Sequence, residues 1–284
     1  MKKMLFSLLS VGLFLFLMVG ISKSEVNSIV AFCGSASKPA TEEATRVFEK
    51  KTGINVQLHF GGSGNMLSQM KISRQGDVYI PGSPDYMALA EREGLVYSHT
   101  LKIIVYLVPA IEVQYGNPKK IQSLSDLAKP GIRVGIGNPD AVSVGIYAVE
   151  LLEQNGLLNE VQKNIITHAL SGSATASLLV MKKVDAIIGW RVFALWNPDK
   201  IDVIFLRPDE VPRLSYIPAA ISTFSENREY AQKFIDFLTS PEGRKIYAER
   251  GYIVTEKEVR EYAPKAKVGG AYQQPESYKP LLEK

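Results

Sequence analysis

Short apolar runs alternate with longer amphipathic runs along most of the chain, a pattern that predicts strands alternating with helices. Residues 28–32 form the first of these short apolar runs. In residues 39–52 the apolar positions, Ala44 and Phe48 among them, recur on one face of a helix. Residues 54–60 then alternate apolar and polar positions, as a half-buried strand does. The start of the chain therefore predicts one strand–helix–strand unit.

The same rhythm continues to residue 250 and predicts a parallel α/β architecture. Further strands are predicted over residues 77–80, 101–109, 133–137, 185–189, 201–206 and 215–221. Further helices are predicted over residues 144–152 and 230–238, and a last one ends at Arg250. Open parallel sheets bind ligands beyond the carboxyl ends of their strands. We therefore expect the turns at those ends to carry the chemistry, and residues 265–284 to be irregular.

The first 24 residues differ from the rest and predict a secretion signal. Two lysines precede an almost wholly apolar run over residues 4–21, and Ser22 and Ser24 follow it at the spacing of a cleavage site. A membrane anchor is the alternative, because the apolar run approaches the length that spans a bilayer. We assign residues 1–24 to a signal peptide and expect a periplasmic or other extracytoplasmic location for the mature protein.

The net charge of the mature chain argues against nucleic acid as a partner. The whole chain carries a formal charge of +4 at pH 7, and cleavage would remove Lys2, Lys3 and Lys23, which leaves +1. A nearly neutral surface lacks the clustered basic face that nucleic-acid binding needs.

Cys33 is the only cysteine, so the chain can form no internal disulfide. It follows the first apolar run, and we expect a small buried residue there, since a catalytic thiol would need a histidine partner. No two of His59, His99 and His168 fall at metal-ligand spacing, so neither a metal cluster nor a cofactor is expected.

Three turns rich in small residues each join an apolar run to a helix-like run. They read Cys-Gly-Ser-Ala-Ser at residues 33–37, Gly-Gly-Ser-Gly-Asn at 61–65 and Gly-Ile-Gly-Asn-Pro at 135–139. A strand, a small-residue turn and a helix start expose free backbone N–H groups at the positive end of the helix dipole. Serine hydroxyls add donors in the first two turns, so the set favours a pocket for an anion.

Each turn taken alone also fits a capped connection without any ligand. No Gly-Lys-Ser/Thr follows residues 61–64, and residues 135–137 lack the third glycine of a dinucleotide loop. A serine hydrolase using Ser63 or Ser173 is a further alternative. It lacks a complete Gly-x-Ser-x-Gly turn, and the histidines have no evident acid partner, so an enzyme is not expected.

The order of the motifs resembles that of the molybdate-binding members of the periplasmic solute-binding proteins that serve ABC importers. The similar stretches are residues 32–37, 48–53, 60–64, 76–80, 123–128, 137–139, 144–148, 234–238 and 240–243. Each motif is loose by itself, but the ordered set covers essentially the whole mature chain.

The resemblance implies a type II periplasmic binding protein fold. Such a fold has two lobes, each a central, mostly parallel sheet flanked by helices, with the ligand cleft between them. The first lobe would be discontinuous, with residues 25–101 and 215–284, and the second would hold residues 102–214. The resemblance also implies a monomer that closes by a hinge motion and a permease of an ABC transporter as its membrane partner.

The same resemblance places the oxyanion ligands at positions with a hydroxyl, an indole or a backbone N–H donor. These positions are Ser35 or Ser37, Ser63, Val144, Gly172 or Ser173, and Trp190. The spacing fits Ser35 and Ser37 equally, and Val144 with Gly172 or Ser173 would donate through the backbone. Trp190 stands where the family has a tyrosine. Its indole N–H can donate but lies elsewhere in space than a phenol, and a packing role fits it as well.

The chemistry of the turns bears on the choice of anion. Monohydrogen phosphate carries a proton and benefits from an acceptor in its site, whereas molybdate, tungstate and sulfate only accept hydrogen bonds. None of the three turns offers an inward carboxylate by its spacing. Molybdate or tungstate is therefore the expected ligand, and its own metal atom is the only metal expected. Sulfate, another anion and a small organic ligand are the alternatives.

Overall fold

The computed structural model describes residues 27–276 and residue 278, so the predicted signal peptide lies outside the described residues. The strands are β1 (Ser28–Gly34), β2 (Asn55–Gly61), β3 (Val78–Ile80), β4 (Lys102–Leu107), β5 (Pro109–Gln114), β6 (Val134–Gly137), β7 (Ile165–Ala169), β8 (Ala186–Trp190), β9 (Ile201–Ile204), β10 (Arg213–Ile221) and β11 (Lys267–Val268). The α-helices are α1 (Lys38–Thr52), α2 (Ser63–Ser73), α3 (Pro84–Arg92), α4 (Ser143–Gln154), α5 (Leu158–Val161), α6 (Gly172–Val180), α7 (Val192–Trp196), α8 (Arg228–Thr239), α9 (Pro241–Glu249) and α10 (Glu256–Arg260). Short 3₁₀ turns lie at Ser35–Ser37, Ser98–Thr100 and Leu124–Ala128.

Two mixed sheets form the centres of two lobes. The first has the order β11-β10-β3-β1-β2, with β4 also paired to β10, and the second has the order β7-β6-β8-β5-β9. Every antiparallel pair includes β5 or β10. We define the first lobe as the first sheet with α1–α3 and α8–α10, and the second lobe as the second sheet with α4–α7. The predicted two-lobed α/β fold is confirmed, with sheets that are more mixed than expected.

The chain passes from the first lobe to the second before β5 and returns to the first lobe after β9. The prediction assigned the strand after residue 101 to the second lobe, but β4 pairs antiparallel with β10 in the first sheet. The physical reason is that β10, the strand that returns to the first lobe, offers β4 an edge on which to pair. By sheet membership the crossings lie after Leu107 and before Arg213. At the other end of the chain, Tyr278 packs into the core of the second lobe rather than the first.

Helix α1 shows how the sequence determines local structure. Pro39 lies in the first turn, where its missing N–H costs nothing, and Gly53 ends the helix in the left-handed conformation, with φ of 71°. Ala44 and Phe48 on its apolar face are 0% and 1% exposed. Burial of a side chain such as Phe48 contributes about 1.5–3 kcal/mol to folding. Cys33 beneath this helix is fully buried, as expected, and burial raises the pKa of its thiol.

The largest apolar cluster joins the two lobes. It includes Ala36 and Cys33 from the first lobe together with Val142, Val144 and Trp190 from the second. The lobes therefore pack directly against each other around the small-residue turns. Among the described residues, no helix is long and apolar enough to cross a membrane. The described part of the chain also holds no group of three or more histidine, cysteine or acidic residues that could hold a metal ion.

Glu112 is a carboxyl group buried in β5 of the second sheet. Its Oε1 accepts the Ala194 N–H at 2.8 Å, whereas its Oε2 is buried without a hydrogen-bond partner. Burial raises the pKa of Glu112 well above the ordinary glutamate value, and the bond from Ala194 opposes this only in part. A raised pKa in the folded state means that the protonated form stabilises the fold at low pH. That stability is lost as the pH rises through the raised value.

We expect Glu112→Gln to stabilise the protein increasingly as the pH rises, because the amide keeps the shape and the Ala194 bond without a charge to bury. The advantage of the variant should grow by up to about 1.4 kcal/mol per pH unit above the ordinary glutamate pKa. Urea unfolding of both proteins from about pH 5 to about pH 8 measures it. The exposed Glu160 offers the matched control Glu160→Gln. A difference in unfolding free energy that stays constant with pH would show that Glu112 does not titrate in this way.

Candidate functional site

The small-residue turns of both lobes meet in one pocket. Its cavity volume is about 10 Å³. Pockets for drug-sized molecules measure roughly 300–1,000 Å³, so this one suits only a small ligand. The pocket is lined by Ser35, Ala36, Gly61, Gly62, Ser63, Gly82, Val142, Ser143, Val144, Gly172 and Trp190.

Most of the residues singled out from the sequence lie in this wall, but Ser37 and Ser173 do not. Ser35 faces the pocket, and its Oγ accepts the Ser173 backbone N–H from the other lobe at 2.9 Å. The Ser37 hydroxyl instead accepts a hydrogen bond from Thr41 at 2.9 Å. Thr41 in turn contacts the hydroxyl of Tyr247, 2.8 Å away. Of the two serines that the spacing left open, the geometry therefore brings Ser35 to the pocket.

Helices from both lobes begin at the pocket. In the first lobe, α2 starts at Ser63, and the turn Ser35–Ser37 leads into α1. In the second lobe, α4 starts at Ser143 and α6 at Gly172. The first N–H groups of a helix have no acceptor within it, and the helix dipole places partial positive charge at the same end. The convergence of these helix starts makes the pocket favourable for negative charge.

Ser63 lies at the centre of a hydrogen-bonded group that spans the lobes. Its Oγ accepts the Gly82 N–H at 2.9 Å and lies 2.9 Å from Ser143 Oγ, where either hydroxyl can donate. The Tyr79 hydroxyl donates to the Ser63 carbonyl oxygen at 2.8 Å. Burial raises the pKa of Tyr79, which therefore remains a protonated donor. With one lone pair used by Gly82, the Ser63 hydroxyl can direct its hydrogen toward a ligand.

Ser143 and Gly82 are site residues that the sequence analysis missed. Gly82 lies in a turn that joins β3 to α3, the same strand–turn–helix pattern as the three turns already identified. The sequence Pro-Gly-Ser-Pro at residues 81–84 was therefore a usable signal. The sequence predicts this helix from residue 144, whereas α4 begins one residue earlier, at Ser143. Ser143 was missed for that reason.

Trp190 ends β8 with its side chain fully buried against the pocket. Its indole Nε1 has no hydrogen-bond partner among the described residues. A buried donor without a partner costs about 1–3 kcal/mol, so such groups call for an explanation. The ring packs edge-on against Tyr147, with ring centroids 4.8 Å apart, which fixes its orientation. A ligand that accepts a hydrogen bond in the pocket would satisfy this N–H.

None of the described residues that line the pocket has a titratable side chain. Asp140, which follows the third turn, is exposed and accepts a hydrogen bond from Gln274 at 2.7 Å. Arg191 follows Trp190, but its guanidinium donates to the Gly251 carbonyl oxygen at 2.7 Å. The wall therefore offers neutral donors and no carboxylate, which suits a ligand that only accepts hydrogen bonds.

Direct hydrogen bonds to backbone carbonyl oxygens hold the lobes closed over the pocket. The Gly64 N–H donates to Ala141 O at 2.9 Å, and the Tyr86 hydroxyl donates to Pro139 O at 3.2 Å. A Cβ atom on Gly62 would lie only 2.7 Å from both Ala141 O and Leu170 O. Glycine at this position is therefore what lets the two backbones approach.

Known proteins share this sequence pattern and this fold. A family model described as bacterial extracellular solute-binding protein matches residues 29–253. A relative from Mycobacterium bovis, the molybdate-binding protein ModA, is 25% identical over 233 residues, which cover 79% of this chain and 84% of that protein.

Solved structures show the same architecture. The periplasmic molybdate-binding protein of Azotobacter vinelandii matches with a TM-score of 0.71 and 18% identity, covering 80% of this chain and 100% of that one. The sulfate-binding protein SubI of Mycobacterium tuberculosis matches with a TM-score of 0.71 and 18% identity, covering 86% and 94%. At these identities the structural likeness shows the fold alone. Because the family model spans most of its length, the chain belongs to the bacterial extracellular solute-binding proteins.

Proposed function

We propose that the protein binds a fully deprotonated tetrahedral oxyanion, molybdate or tungstate, and delivers it to the membrane permease of an ABC importer. The observation that carries this proposal is the pocket itself, where neutral donors from both lobes converge and none of the described lining residues carries a carboxylate. The ligands named for the Mycobacterium bovis and Azotobacter vinelandii proteins support the choice of molybdate.

The donors suffice for tight binding without a cationic side chain. Hydrogen bonds to a charged group contribute about 1.5–3 kcal/mol each, and nanomolar affinity requires about 12 kcal/mol. The hydroxyls of Ser35, Ser63 and Ser143, the Trp190 indole, the first two N–H groups of α4 and the Gly172 N–H could supply five to seven such bonds, roughly the number needed after association costs. A dianion would also gain from the convergent helix dipoles.

Sulfate is the second candidate, because it is also fully deprotonated at neutral pH and the fold matches that of a sulfate-binding protein. The small volume of the pocket argues against larger organic ligands. The geometry also gives no support to a hydrolase. The hydroxyl of Ser63 bonds to Gly82 and Ser143, while His59, His99 and His168 each lie against an aromatic ring.

Thermal unfolding of the purified chain with sodium molybdate, tungstate, sulfate and phosphate tests the proposal. A ligand at a hundred times its Kd stabilises the folded state by about 2.7 kcal/mol, which raises the Tm of a protein of this size by several degrees. We expect that increase with molybdate and tungstate and none with phosphate. A rise with sulfate alone would favour the second candidate. No change with any of the four anions would refute the proposal.

Ser63→Ala is expected to weaken binding of the stabilising anion by about tenfold, the loss of one charge-assisted hydrogen bond. The effect should not be larger, because Gly82 and Ser143 keep their own donors near the vacated position. Titration calorimetry measures the change in Kd. Ser68, exposed on the same helix, offers the control Ser68→Ala, which should leave Kd unchanged. Equal affinities of the Ser63 variant and the unmodified protein would remove Ser63 from the site.

A further inference from the structure

Arg213 is a buried cation at the point where the chain returns from the second lobe to the first. It is the first residue of β10, and its side chain is 3% exposed. Its Nη1 lies 3.0 Å from Asp85 on α3, and its Nη2 lies 2.7 Å from Glu150 on α4. The guanidinium also donates through Nε to Glu150 at 2.8 Å. We name Arg213, Asp85 and Glu150 the buried triad.

The two acids of the triad belong to different lobes. Asp85 lies on α3 and Arg213 on β10, so their ion pair is internal to the first lobe. Glu150 lies on α4 of the second lobe, so its bond to Arg213 joins the lobes. Separation of the lobes would break this bond and expose both charges to water. An ion pair of this kind is sensitive to the removal of one partner, because the other charge stays buried without compensation.

Both helices of the triad begin in or just after a turn that lines the pocket. The turn that contains Gly82 leads into α3, and the Gly82 N–H donates to Ser63. Helix α4 begins with Ser143, and one face of it carries Tyr147 and then Glu150. Arg213 therefore holds together α4, whose first residue lies in the pocket wall, and α3, which begins two residues after the wall residue Gly82.

A second path connects the triad to the pocket through aromatic rings. The Arg213 guanidinium lies 4.0 Å from the centre of the Tyr147 ring, a cation–π contact. Tyr147 packs edge-on against Trp190, whose unpartnered indole N–H belongs to the pocket wall. Arg213 thus fixes the ring that orients Trp190.

The C-terminal tail covers the triad. Arg213 Nη1 donates to the Gly270 carbonyl oxygen at 2.6 Å, and the Tyr272 N–H donates to Asp85 at 3.0 Å. The Tyr272 hydroxyl then donates to Glu153 on α4 of the second lobe. The tail therefore excludes water from the triad and adds one more bond across the lobes.

We infer that Arg213, through its bond to Glu150, is a positioning residue that favours the closed lobes and aligns the pocket without touching the ligand. This inference rests on the proposed function only for the identity of the anion. Because the bond acts on closure, its loss should lower the affinity for every anion that binds by the same factor. It should also shift the free protein toward the open form.

The test compares Glu150→Gln with Asp85→Asn. Both replacements keep the side-chain shape and remove one carboxylate from Arg213, but only the first breaks a bond between lobes. Small-angle X-ray scattering of the free proteins should give a larger radius of gyration for Glu150→Gln than for the unmodified chain and Asp85→Asn. Saturating sodium molybdate should restore the compact value. The dissociation constants of molybdate and sulfate, where each binds, should rise by about tenfold and by equal factors for Glu150→Gln.

The outcomes separate this inference from the proposed function. Equal radii of gyration for Glu150→Gln and the unmodified chain overturn the inference, whatever happens to the affinity. Equal expansion of Glu150→Gln and Asp85→Asn also overturns it, because a general loosening of the fold would then explain the result. If no anion binds the unmodified chain while Glu150→Gln alone is expanded, the inference stands and the proposed function fails.

Discussion

Replacement of Gly62 by alanine is expected to weaken anion binding about a hundredfold, or about 2.7 kcal/mol, while each lobe keeps its fold. Gly62 has φ of −65° and ψ of 142°, an extended conformation that alanine adopts without strain. The added Cβ would meet no obstacle except across the lobes, where Ala141 O and Leu170 O lie 2.7 Å away. Backbone atoms cannot move aside as a flexible side chain can. The lobes would therefore stop short of the closed arrangement.

The neighbouring glycine provides the control for this prediction. The atoms nearest to a Cβ on Gly61 belong to the flexible side chain of Met66 in the same lobe, the first of them 2.8 Å away. Gly61 also lines the pocket, but its added Cβ would lie against Met66, which is not part of the wall, so Gly61→Ala should bind the anion nearly as well as the unmodified chain. Titration calorimetry with sodium molybdate gives the three affinities, and thermal unfolding without ligand shows whether the lobes remain folded. If Gly61→Ala and Gly62→Ala lose affinity equally, closure at Gly62 is not the cause.

The fold could be predicted from the sequence because the periodicity of its elements is strong. The expected helix over residues 39–52 is observed as α1 (Lys38–Thr52), whose apolar stripe, first-turn proline and terminal glycine all agree. The partner of β4 could not be predicted, because an apolar β-branched run shows that a strand exists but not which edge it pairs with. That choice depends on the return strand β10, more than a hundred residues later.

The candidate site was predictable where one local pattern was enough. Ser35 and Ser63 lie in turns that expose donors by their own sequence, and both reach the pocket wall. Whether Ser35 or Ser37 faces the pocket depends on the side chains of Thr41 and Tyr247, and Tyr247 is distant in the sequence. Local sequence patterns cannot predict the contacts between the lobes either, because these contacts form only when the two lobes pack against each other.

The buried triad gives a physical reason why donors on separate lobes can act as one site. The donors of a pocket shared by two lobes are aligned only when the lobes are closed. The measured affinity of the protein for the anion therefore includes the free energy of lobe closure. Ser63 acts at the contact with the ligand, whereas Gly62 and Glu150 both act on closure of the lobes. A change at Ser63 should therefore combine with a change at Glu150 additively in free energy, because the two residues share no contacts. Changes at Gly62 and Glu150 should combine less than additively, because both shift the same closure equilibrium.

Trp190→Phe is expected to weaken molybdate binding by about ten- to a hundredfold, because it removes a buried N–H donor that has no other partner among the described residues. Phenylalanine keeps an aromatic ring against Tyr147, and the space it leaves costs stability in the free and bound protein alike. The difference in affinity therefore reports the lost hydrogen bond, and titration calorimetry measures it.

The second tryptophan of the chain makes this test specific. Trp196 lies half-buried on α7, packs against Phe193 with ring centroids 4.6 Å apart, and is not part of the pocket wall. Trp196→Phe should therefore keep its affinity for molybdate. It should also keep any change in tryptophan fluorescence that molybdate causes, since Trp190 would be the remaining reporter, whereas Trp190→Phe should lose that change. If Trp190→Phe binds molybdate as tightly as the unmodified chain, Trp190 has the packing role alone. The anion would then be held by hydroxyl and backbone donors only.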